Sequence, residues 1–152
     1  MVARGLLFSD VRQRVEAQVV AELGGAGWRA SRYAYDLFPG PDSRQVEHLA
    51  FAVGVPRTTP EALDRQSRAL GITVRTGLGV RFTCRLRADA QVGDFDAALD
   101  HEVDLIRCVH AALKNPEFSI RYTGTTLRQV LADGTVWYSE TSWEVLHRLP
   151  LT

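Results

Sequence analysis

The chain has 152 residues, with 18 basic and 18 acidic side chains and a hydrophobic content of 45%. That length holds one ordinary domain, and the composition is that of a packed protein, not a disordered chain. A formal net charge of zero argues against bulk positive charge as a means of holding nucleic acid or an anionic membrane.

The first expected element is an amphipathic helix from about Ser9 to Leu23. Val11, Val15, Val19 and Leu23 recur every four residues, Ser9 or Asp10 can cap the start, and Gly24-Gly25 ends it. From Trp28 to Phe38, apolar residues alternate with Arg32, Ala34 and Asp36, which predicts a strand ending at Pro39-Gly40-Pro41-Asp42. A second strand is expected from Val46 to Val55, closed by Pro56. Residues 57–77 are too poor in apolar side chains to bury much, and read as an extended, mostly solvated loop between two paired strands.

The alternation is clearest from Leu78 to Arg87. Leu78, Val80, Phe82, Cys84 and Leu86 point one way, and Arg81, Thr83, Arg85 and Arg87 the other. A long helix follows, from about Asp94 to Lys114, with Phe95, Leu99, Val103, Ile106, Val109 and Leu113 as its expected buried stripe. Its acids gather near the start and its bases near the end, as the helix dipole favours. Asn115-Pro116 stops it. Two last strands, about 118–131 and 135–149, are joined by the turn Ala132-Asp133-Gly134. The predicted fold is therefore α+β, a single domain over 1–152. Its antiparallel or mixed sheet of about five strands carries two helices on one face, in the order α-β-β-(long loop)-β-α-β-β.

Motifs for catalysis are missing from the chain: there is no GxGxxG, P-loop, GxSxG or HExxH. His101-Glu102 comes nearest to the last, but Leu105 stands where the second histidine belongs. Asp96, Asp100 and Asp104 form an i, i+4 row that reads either as a metal stripe or, more ordinarily, as a solvated helix face. Cys84 and Cys108 form no CxxC and lie among apolar neighbours, as small buried hydrophobes do. No catalytic residue, metal or cofactor is expected. No run reaches the ~18 apolar residues of a membrane helix, and the N-terminal stretch lacks the features of a signal peptide, so a cytoplasmic origin is expected.

Seventeen of the 18 basic residues are arginine, Lys114 being the exception. A GC-rich coding sequence accounts for that bias, and so does the preference for arginine at interfaces. The row Arg81, Arg85 and Arg87 reads either as the wet face of a strand or as a positive stripe toward a polyanion or a neighbouring subunit. Trp137, Tyr138 and Trp143 suit a core or a subunit interface.

The stretch HLAFAVGVPRT resembles the tail terminator (tail completion) proteins of long-tailed phages and phage-like particles. So does VRTGLGVRFTCRLRADAQVGDFDAALDHEVDLIRCV, and so does the closing strand pair around LADGTVWYSETSWEV. The resemblance spans about residues 8–149. It implies a virion protein of the tail or neck, assembled in the host cytoplasm as a homo-oligomeric, hexameric ring. Such a ring caps the tail tube, ends tail elongation and joins the head–tail connector or stopper protein. DNA passes through it without sequence-specific binding, and no membrane or catalysis is involved. On this basis Arg81, Arg85 and Arg87 are expected on a channel or intersubunit surface, and Arg57, Glu61, Arg65 and Arg68 on a loop toward the tail tube. Two other identities stay open: another neck component, such as a head-completion or stopper protein, and a small cytosolic ligand-binding domain.

Overall fold

The computed structural model describes residues 5–31, 47–61, 72–87, 89–112, 119–131 and 134–150. In chain order the elements are α1 (Phe8–Leu23), β1 (Arg29–Ala30), β2 (Ala50–Pro60), β3 (Ile72–Arg85), α2 (Val92–Ala112), β4 (Ser119–Leu131) and β5 (Val136–Leu149). The five strands make one mixed sheet in the order β1-β2-β3-β5-β4. Only β1 and β2 run parallel; the other pairs are antiparallel. The class is α+β, as expected.

Helix α1 buries Val11, Val15 and Val19 completely, worth roughly 1.5–2 kcal/mol for each side chain. Its cap position is Leu7 rather than Ser9 or Asp10. Asp10 instead reaches back from the first turn, its Oδ2 accepting the Leu7 N–H at 2.8 Å. After Leu23 a short 3₁₀ turn (Gly24–Ala26) leads to Gly27 at φ +96°, a conformation open to glycine.

The core lies between this helix pair and one sheet face. Val11, Val15 and Val19 of α1 and Ala98, Leu105 and Val109 of α2 share it with Phe51, Leu78, Val80, Phe82, Trp143 and Val145. The Trp28 ring lies 5.2 Å from that of Phe82. Trp137, Tyr138 and Trp143 are all buried within the chain, and so are both free cysteines. Burial pushes the Cys84 thiol up to about 11 and the Cys108 thiol up to about 12.

Two expectations need correction, the first in the strands and the second in the helix. Residues 57–77 are not one solvated loop: β2 runs to Pro60 and β3 begins at Ile72, with Arg57 opposite Gly77, Thr59 opposite Arg75 and Pro60 opposite Val74. Pro56 falls in the irregularity between Gly54 and Arg57, where no ladder bond is demanded of it. On α2, Val103 is 42% exposed, whereas Ala98, Glu102, Leu105 and Cys108 are buried. A row at i, i+4 winds ~40° per step around a helix of 3.6 residues per turn, so Phe95, Leu99 and Val103 progressively leave the core face; Leu113 lies outside the described residues. Of the expected 28–38 strand, Arg29–Ala30 is a strand, and residues 32–46 lie outside the described residues.

Candidate functional site

Alternation along β3 assigns Thr73, Arg75, Gly77, Gly79, Arg81 and Arg85 to the sheet face opposite the helices. Register then brings the acids of β5 beside them. Arg81 lies directly across from Glu140, and its Nε donates to Oε2 at 2.9 Å. Arg75 donates to Glu61 from both Nε and Nη2, and its Nη1 donates to Glu144 at 2.6 Å. Arg121 of β4, paired in register with Glu144, adds a further contact at 3.2 Å. The result is a continuous chain, Glu61–Arg75–Glu144–Arg121, crossing three strands.

The charges tune one another accordingly. Hydrogen bonds from Arg75 hold the Glu61 carboxyl below its ordinary range, and Glu61 and Glu144 raise Arg75. These groups face water, so each exposed pair contributes little to stability.

Between these pairs lies a trough of about 450 Å³, lined by Arg57, Thr59, Arg75, Thr123, Glu140 and Ser142, among others, over a floor at Gly77 and Gly79. The floor exists because Gly77 has no side chain: a Cβ there would come within 3.3 Å of the Arg57 Cγ and carbonyl oxygen. The lining offers hydroxyls, guanidinium groups and carboxylates within one concavity.

The arginine row of the sequence is thus divided. Arg81 is partly covered and matched by Glu140. Arg85 is exposed, and its backbone N–H donates to His48 Nδ1 at 3.0 Å. Arg87 lies beyond the strand and grips Asp94 at the start of α2, at 3.0–3.3 Å. That grip lowers the Asp94 carboxyl, helped by the Gln91 N–H. Two of the three arginines are already matched by acids, so they do not form a bare positive stripe. Of the expected loop residues, Arg57 lines the trough and Glu61 pairs with Arg75, while Arg65 and Arg68 lie outside the described residues.

Sequence reasoning passed over Arg75, Glu140 and Glu144. The alternation that marked Leu78 to Arg87 simply continues back to Thr73, a signal that was present but hidden by the loop assignment. Their partners were not readable, because cross-strand register is set by the folded sheet.

A second polar cluster lies on the helix side. Glu102 of α2 is 2% exposed. It accepts hydrogen bonds from Arg128 at 2.6–3.2 Å, from Thr125 Oγ1 at 3.3 Å and from Ser139 Oγ. Toward the other end of β3 and β5, Thr76 Oγ1 and His147 Nε2 are 2.6 Å apart and both buried. Ser139 and Thr76 have no exposed surface, so solvent-borne substrate does not reach either hydroxyl. Asp96, Asp100 and Asp104 stand on the exposed face of α2, and among the described residues no group of three or more potential metal ligands lies together. None of the described helices is long and apolar enough to cross a membrane. No family model and no curated protein matches this chain.

Proposed function

We propose that the chain is a structural ring subunit of the tail-terminator type. Six copies cap a tail tube, end its elongation and meet the head–tail connector or stopper protein, and the virion DNA passes through the ring. The resemblance stated above falls on β2, β3, α2 and the β4–β5 hairpin, which together make most of the domain.

The observation that carries this reading is the β4 edge. β4 is 13 residues long, is the last strand of the sheet and has β5 as its described neighbour. Its exposed large apolar side chains are Tyr122 (37%), Leu127 (41%) and Val130 (41%). A long apolar edge is a liability for a solitary soluble domain and an asset for a subunit that acquires neighbours. The balanced ion pairs of the outer face suit a protein that surrounds DNA without gripping it.

Native mass spectrometry of the purified chain, with and without tail tube protein, tests the proposal. A hexamer, or a hexamer formed on the tube, is the expected species. A strict monomer that never joins a tube overturns it. Binding to the connector but not to the tube would instead identify another neck component. The trough favours a second reading, a ligand-binding domain, which requires a stable monomer whose ligand protects residues around Gly77 and Ser142.

A further inference from the structure

Register sets Arg57 of β2, Gly77 of β3 and Glu144 of β5 side by side in one row of the outer sheet face. Arg57 and Glu144 thus stand two strands apart, with ~10 Å between their Cα atoms at ~4.8 Å per strand. Gly77 between them carries no side chain, and the Arg57 stem occupies that room. Its Cγ and Nε lie 3.3 and 3.9 Å from where a Gly77 Cβ would sit, so the guanidinium is seated over the trough floor. On the same face Arg75, Arg81 and Arg121 meet acids. Among the described residues, Arg57 meets none.

Other groups of the lining also have bonding capacity to spare. Glu144 receives both Arg75 and Arg121 on Oε1, which leaves Oε2 without a donor among the described residues. Thr59, Thr123 and Ser142 line the same trough, and their hydroxyls make no hydrogen bond among the described residues. We propose that the trough binds a small hydroxylated monocarboxylate. Its carboxylate sits on Arg57, and its hydroxyls meet Glu144 Oε2 and the hydroxyls of Thr59 and Ser142.

The chemistry of the lining selects this class. A guanidinium presents paired N–H donors that match a planar carboxylate. Glu140 and Glu144 stand in the same lining and repel a dianion such as phosphate, so a single negative charge fits better. An ammonium group could reach Glu144 only beside Arg75 and Arg121, whose charges repel it; a neutral hydroxyl donates to Oε2 without that cost. The volume of about 450 Å³ falls within the ~300–1,000 Å³ of small-ligand sites. The site goes beyond the ring reading and does not depend on it.

Saturation-transfer NMR observed on the probe gives a Kd for monomer and ring alike. The probe is D-gluconate. Acetate supplies the carboxylate alone, sorbitol the hydroxyls alone and inorganic phosphate the higher charge, all at constant ionic strength. Gluconate is expected to bind about tenfold more tightly than acetate, with sorbitol and phosphate weaker still. Arg57→Gln changes an exposed side chain and weakens gluconate binding about tenfold. Arg57→Lys keeps the charge without the fork and weakens it less. Glu144→Gln narrows the preference for gluconate over acetate about threefold, because it removes the acceptor and releases two cations. Arg87→Gln lies beyond the end of β3, where Asp94 already holds the arginine, and leaves binding unchanged. The proposal is overturned by the absence of a saturable gluconate signal, by acetate or phosphate binding as tightly as gluconate, or by an Arg57→Gln chain that binds like wild type. A monomer that binds gluconate through Arg57 refutes the ring and keeps the site; a hexamer that ignores gluconate refutes the site and keeps the ring.

Discussion

The Glu102–Arg128 pair makes an unequal prediction for its two members. The Glu102 side chain is 3% exposed and that of Arg128 is 48% exposed. Arg128→Leu leaves the carboxylate under the sheet with only Ser139 and Thr125 as donors. Removing one member of a fully buried pair costs ~3–5 kcal/mol; because Arg128 is half in water, about 2–3 kcal/mol is expected here. Glu102→Gln is milder. The amide keeps an acceptor for Ser139, and the released guanidinium turns to solvent, so the loss is about 1–2 kcal/mol. Urea unfolding at pH 7 measures both. With m near ~2 kcal/mol/M, Arg128→Leu moves the midpoint down by ~1–1.5 M and Glu102→Gln by ~0.5–1 M. The double variant should cost less than the sum, with a coupling of ~1–2 kcal/mol. An Arg128→Leu loss below that of Glu102→Gln, or strict additivity, would refute the assignment of the pair as a buried link between α2 and β4.

Two further outcomes are expected. Burial pushes His147 below its ordinary value of 6.5, and His48 is lowered by burial and then by His101, Arg85 and Arg29. The unfolded chain therefore takes up protons near pH 6.5 that the folded chain refuses, so stability is lost as pH falls from 7 toward 5. The carboxyls of Glu61 and Asp94, lowered by Arg75 and Arg87, add a second loss as pH falls through their folded values, each below the group's ordinary one. Melting temperature recorded from pH 7.5 to 5.0 checks the first loss, which His147→Gln should reduce; a flat wild-type profile contradicts it. Separately, Gly124 in β4 holds φ +133° at a register shift, so Gly124→Ala costs ~1–3 kcal/mol of backbone strain. Gly93→Ala, in the first turn of α2 where nothing lies within 4 Å of an added Cβ, is neutral or stabilising by up to ~1 kcal/mol in the same urea assay.

Local pattern in the chain determined more of this fold than of its site. Val11, Val15 and Val19 at four-residue spacing announced α1, and the glycines after Leu23 announced its end. Five apolar residues at alternate positions from Leu78 to Leu86 announced a strand with one buried face, and all five are buried. The turn before β5 was equally plain, with Gly134 at φ +86°. Each of these signals depends on the period of a helix or strand, or on the backbone freedom of one residue, and so needs no knowledge of distant neighbours.

What the chain could not declare by itself is every contact set by register. Arg81 became a matched cation because β5 places Glu140 across from it. Arg75, which the sequence left in a loop, became the centre of an ion-pair chain once β2 and β3 paired beyond Gly77. The same sheet brought Ser139 and Arg128 under α2 to satisfy Glu102. A zero net charge, which excluded a bulk polycation from the outset, was thus resolved only in the tertiary structure. On the outer face Arg75, Arg81 and Arg121 meet acids, because pairing distances of a few ångströms depend on long-range packing that no local pattern encodes.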